Sequence, residues 1–124
     1  MRVVLCVVSL IGCHRLDGGW SGTCVGDNGD VGLELTIESD DGAEVEGSAL
    51  ATFEVAGVST DTELDLEGTR DGADFAIDLD GTGWAMSLDG HQSGSTMEGD
   101  CLLEITVLGW TTAESGTFVL ESTD

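Results

Sequence analysis

At 124 residues and a formal net charge of −22, the chain has room for one domain and almost no cations: 25 Asp plus Glu stand against three arginines and no lysine. Nucleic-acid binding through phosphate neutralisation is excluded, because the side chains that would displace counterions are missing, and anionic lipid head groups should repel the surface. A hydrophobic fraction of 40% argues against disorder, and 19 glycines with no proline fit short strands joined by tight turns. With no tyrosine, three Trp and three Phe, the core must be largely aliphatic. The acids are spread along the chain, which suits a solvated coat; attraction to cations or basic ligands is the other reading.

Met1-Arg2 is a minimal positive start, and Val3 to Ile11 is an apolar run broken only by Ser9. The run is far too short to span a membrane, which takes about 20 apolar residues, but it has the length of a signal-peptide h-region. It ends in Leu10-Ile11-Gly12-Cys13, which resembles the lipobox of bacterial lipoproteins: leucine, a middling residue, a small residue, then cysteine. The resemblance implies cleavage before Cys13, lipid on its thiol and stable anchoring by two or more acyl chains. It divides the chain into a signal peptide at 1–12, a tether at 13–18 and an all-β domain at 19–124. The signal is shorter than the usual range of about 15–30 residues, which a start further upstream would explain. The competing reading is an N-terminal strand over Val3–Ile11. His14 follows the cysteine where an Asp would signal inner-membrane retention in the enteric family. The expected address is therefore the cell envelope: the outer membrane, or the periplasmic face, if the organism has two membranes.

A first strand is expected near Trp20–Val25, then a turn at Asp27-Asn28-Gly29-Asp30. Val31, Leu33, Leu35 and Ile37 then alternate with Gly32, Glu34, Thr36 and Glu38, the period of a strand with one buried face. Asp40-Asp41-Gly42 signals a hairpin. The next strand sets Val45, Gly47, Ala49, Ala51, Phe53 and Val55 on one face and Glu44, Glu46 and Glu54 on the other. Further strands follow at about Thr60–Thr69 and around Phe75, Ile77 and Leu79, with Asp71-Gly72 between them. Another carries Trp84, Met86 and Leu88 up to a longer turn over Asp89–Gly94. The last two strands are expected at about Thr96–Leu108 and Gly116–Glu121, with Phe118 and Leu120 inward.

About eight strands at such spacing suggest a sandwich or a barrel. Short Asp-Gly hairpins favour sequential antiparallel neighbours, and closing that meander removes the edges. The expectation is a small, eight-stranded, up-and-down, lipocalin-like β-barrel, with a β-sandwich as the alternative. A membrane-spanning barrel needs an apolar outer face, whereas here nearly every strand has a carboxylate face. The opening Gly19-Trp20-Ser21-Gly22 resembles the start of lipocalin-like and avidin-like barrels. No biotin-site residues are carried over from that resemblance.

Of the four cysteines, Cys6 would leave with the signal and Cys13 would be lipidated. Cys24 and Cys101 remain, one pair in an exported domain, where disulfides persist. Two buried thiols or a metal pair are the alternatives, although two thiolates without a nearby His make a poor zinc set.

No cofactor or metal motif stands out. Ser93, His91 and Asp89 could be drawn as a hydrolase set, but nothing in their spacing orients a base. Asp78-Leu79-Asp80-Gly81 lacks the flanking ligands of a calcium loop, whose outer positions would be Ala76 and Ser87. Trp84 and Trp110 could line a ligand pocket, with core packing as the default for Trp84 and a place capping the barrel mouth for Trp110. An eight-stranded barrel either fills with side chains or holds one small ligand. The chain thus reads as a non-enzymatic envelope lipoprotein that binds a small apolar ligand in its barrel, or as a structural lipoprotein with a filled core that meets an envelope protein.

Overall fold

The computed structural model describes residues 16–26, 29–55 and 58–123; the lipobox and Cys13 lie outside them. Eight strands follow in order: β1 (Gly18–Gly26), β2 (Gly29–Asp40), β3 (Glu44–Val55), β4 (Val58–Asp71), β5 (Asp74–Gly81), β6 (Trp84–Ser93), β7 (Thr96–Val107) and β8 (Trp110–Ser122). Each pairs antiparallel with the next, and β8 returns to β1, closing an up-and-down barrel. Closure pairs every edge, and the sandwich alternative falls away.

Alternation decides what faces inward. Leu33 and Leu35 on β2, Leu64 and Leu66 on β4, and Ile77 and Leu79 on β5 are almost fully buried, while the acids between them are exposed. The interior is aliphatic, as the shortage of aromatics requires, with a few large rings such as Trp20, Phe75 and Phe118. Tight coiling of so narrow a barrel needs corners without side chains. At Gly47 a Cβ would fall inside the van der Waals envelope of the Thr36 carbonyl oxygen on β2, and at Gly116 inside that of Val25 on β1.

Cys24 and Cys101 form a disulfide inside the barrel, with their Cα atoms 6.3 Å apart. It ties β1 to β7 across β8, which presents Gly116 opposite Cys101 and Phe118 opposite Cys24. Free thiols and a metal pair are thereby set aside.

Three expected boundaries move. The stretch Asp89–Gly94 is not one long turn: β6 continues to Ser93 and only Gly94-Ser95 turns. Strand β8 begins at Trp110, before the expected Gly116, because its small polar residues give no hydrophobic alternation to read. Residues 16–18 are not a free tether: Leu16 is 1% exposed and belongs to the core, and β1 opens at Gly18.

Candidate functional site

The two ends of the barrel differ. One end carries the β2–β3, β4–β5 and β6–β7 turns, and it is shut. A bulge between Ile37 and Ser39 shifts the register of β2. The extra residue inverts the alternation, so that Asp40 stands opposite the buried Val45 instead of facing solvent. Its carboxylate accepts hydrogen bonds from the backbone N–H of Leu16 (2.8 Å) and from Nε of Arg70 (2.8 Å). Arg70, the one Lys or Arg among the described residues, also donates to the Gly72 carbonyl. Burial pushes the Asp40 carboxyl up. The Arg70 hydrogen bond, the N–H groups of Leu16 and Gly42 and the Arg70 charge outweigh it and hold the carboxyl below its ordinary value. The Leu16 carbonyl in turn accepts the indole N–H of Trp20 at 2.8 Å. Leu16 is thus a stopper, held by two hydrogen bonds and apolar burial.

The opposite end, where β1, β3, β5 and β7 finish, is open. Phe53 from β3 and Trp84 from β6 stack there with ring centroids 4.1 Å apart. With Val31, Leu103, Ile105 and the Cys24 side of the disulfide they line a concavity of 170 Å³. Glu114 and Asp30 stand at its rim. Glu114 shares the inward parity of Phe118 and Leu120 on β8 and lies half-buried over Gly26. This mouth offers an aromatic and aliphatic slot with carboxylates at its edge. No described Lys or Arg stands there to favour an anion, since Arg70 belongs to the closed end.

Of the two tryptophans expected at a pocket, Trp84 lines the mouth. Trp110 does not: it is 80% exposed at the start of β8, beside the Leu108-Gly109 turn, and is not among the residues that line the concavity. Asp89, His91 and Ser93 lie two residues apart on the solvent face of β6, and His91 faces Glu98 at 3.5 Å. No nucleophile, base and orienting group are brought together there. Among the described residues, no three His, Cys, Asp or Glu side chains are placed to hold a metal ion. A larger concavity, of 810 Å³, lies on the outside of the barrel across β1 to β5, with exposed Glu34, Glu63, Asp65 and Asp80 on its walls.

Glu114, Asp40 and Arg70 escape a reading of the sequence for different reasons. Glu114 is recoverable by carrying the parity of Phe118 and Leu120 four residues back. Arg70 is recoverable in the same way from Leu64 and Leu66. Asp40 is not, because the bulge that turns it inward leaves no local trace.

A scan against protein-family models finds no match, and a search of curated proteins finds none either. Solved structures do match. The complex of bradavidin2 with biotin superposes with a TM-score of 0.63 at 15% identity, covering 89% of this chain and 99% of that one. EF1p2_mFAP2b bound to DFHBI gives 0.61 at 13% identity, covering 91% and 98%. Apo shwanavidin gives 0.52 at 15% identity, covering 88% and 97%. The chain has an avidin-like barrel fold. At such identity the likeness extends to the fold alone.

Proposed function

We propose that this protein is a non-enzymatic binding barrel, anchored to the cell envelope by lipid on Cys13, whose open mouth takes a small ligand. The observation behind this reading is the contrast between the ends: one is stoppered by Leu16, and the other holds a stacked Phe53–Trp84 pair beside an unfilled 170 Å³. Pockets for drug-sized ligands run from about 300 Å³, so the ligand is fragment-sized or only partly enclosed. Its body is apolar or aromatic, to match the slot. Its polar end is cationic or a hydrogen-bond donor, to match Glu114 and Asp30, since an anion would meet the field of the whole acidic barrel. The solved neighbours in complex with biotin and with DFHBI agree with a barrel of this fold holding a small molecule.

The test is a fragment screen by intrinsic tryptophan fluorescence and NMR, with Trp84→Ala and Glu114→Gln as variants. Aromatic amines should bind, and Trp84→Ala should abolish binding; a hit set indifferent to both variants refutes the site. Intact mass spectrometry of membrane-extracted protein with a Cys13→Ala control tests the anchor separately. A chain that retains residues 1–12 and carries no lipid refutes it.

A second reading rests on the turn beside the mouth. Leu108 is 93% exposed with φ of 53°, and Trp110 is 80% exposed. An apolar tip on an otherwise acidic protein suits contact with an envelope protein. Loss of a crosslinked envelope partner on Trp110→Ser, with fragment binding intact, would favour it.

A further inference from the structure

We infer that the barrel stands upright on the membrane, stoppered end down, with its ligand mouth facing the aqueous phase. The inference rests on the lipid-anchor reading, and adds to it a fixed orientation and a route for the ligand. Leu16 is seated in the closed end, its N–H bonded to Asp40 and its carbonyl to Trp20. Only His14 and Arg15 separate it from Cys13. Three Cα–Cα steps reach at most about 11 Å. A strand of twelve residues such as β3, tilted as in small barrels, puts the two ends roughly 30 Å apart. The tether is therefore too short to let the barrel invert and set its mouth on the lipid while Leu16 stays in place.

The tether alone sets which end is down, and charge keeps the flanks off the lipid. Exposed Asp41, Glu44, Asp71 and Asp74 ring the stoppered end, and carboxylates line the flanks on β3, β4 and β5. None of these surfaces is drawn to anionic head groups, so the barrel hangs from its tether and does not lie on its side. The consequence for function is that the ligand arrives from water. A lipid tail leaving the bilayer has no path to Phe53 and Trp84.

The experiment uses the full chain, lipidated in cells, confirmed by intact mass and placed in vesicles of phosphatidylcholine with phosphatidylglycerol, carrying a head-group energy acceptor. A donor dye is attached at Ser95→Cys, in the turn at the stoppered end, or at Thr82→Cys, in the turn at the mouth; both positions are exposed. Transfer from position 95 should exceed transfer from position 82 by roughly fivefold or more, given the height of the barrel. A flexible Gly/Ser insertion between Arg15 and Leu16 leaves the barrel untouched and should bring the two positions toward equality at unchanged melting temperature. Equal transfer from the two dyes on verified lipoprotein overturns the orientation while the anchor stands. A difference that survives the insertion also overturns it, because the tether would then not be its cause. A chain with no lipid on Cys13 overturns both readings.

Discussion

Replacing Cys24 and Cys101 together by alanine removes a crosslink whose contribution can be worked from its place in the chain. The bridge joins residues 77 apart. The chain-entropy relation, −2.1 − 1.5R ln n, then gives about 4.5 kcal/mol at 25 °C. Two buried sulfurs also leave the interior, which adds roughly 1 kcal/mol of lost packing. For a domain of this size, about 2.1 cal/mol/K per residue at the midpoint makes the entropic part alone a fall in Tm of about 20 °C. Such a loss is a large share of the roughly 5–15 kcal/mol that holds small domains folded. The assay is equilibrium unfolding in guanidinium chloride at 25 °C, with circular dichroism and Trp fluorescence read together. The variant's m-value should rise as well, because an uncrosslinked unfolded chain exposes more surface. A loss below about 1.5 kcal/mol with an unchanged m-value would refute the reasoning. Alkylation of Cys24 and Cys101 in the denatured, unreduced parent, read by peptide mass, would do so as well.

Further outcomes are expected in the same framework. Gly47→Ala should cost about 2–3 kcal/mol in the same unfolding assay, because its Cβ meets the backbone of β2, whereas Gly32→Ala, whose nearest neighbour is the Thr52 Cβ at 3.5 Å, should cost well under about 1 kcal/mol; equal costs would sink the corner argument. Arg70→Met strands the Asp40 carboxylate, whose side chain has no exposure, and should cost roughly 3 kcal/mol. Because the folded pKa of Asp40 is depressed, its contribution is complete above the unfolded value of about 3.9 and is lost as pH falls through the lower folded value; Asp40→Asn should flatten that part of the acid-unfolding curve. Carboxylates face each other across strands at Asp65–Asp80, Glu67–Asp78, Glu46–Glu67 and Asp89–Asp100, each pair repelling by roughly 0.7 kcal/mol at about 6 Å in water. Raising NaCl from about 10 mM to about 1 M should therefore raise Tm by several degrees, and a flat response would show that the pairs splay apart. Leu108→Asn relieves a left-handed leucine ahead of Gly109 and should stabilise the β7–β8 hairpin by about 1 kcal/mol in a thermal melt.

Much of the fold is legible in the residues, because a half-buried strand writes its burial into the chain with a period of two. Val31 to Glu38 and Phe75 to Asp80 show their inner and outer faces from the residues alone, and Cys24 and Cys101 are the two cysteines left to pair once export is assumed. Reading stops where burial and polarity part company. Trp110 and Trp84 are the same residue type near two strand starts, yet one rests at the mouth and the other in solvent. Closure of the sheet and the path of one hairpin turn decide that difference. Leu16 looks like part of a tether because its neighbours are polar, and a single apolar residue has no period. What the sequence by itself determined is the all-β meander, the acidic outer face, the aliphatic interior and one available cysteine pair. Only the tertiary structure decided which end of the barrel is shut. That choice depends on a one-residue bulge that turns Asp40 inward to meet Arg70, thirty positions away. Contacts between residues so distant in sequence form only after the sheet has closed, so no local pattern announces them.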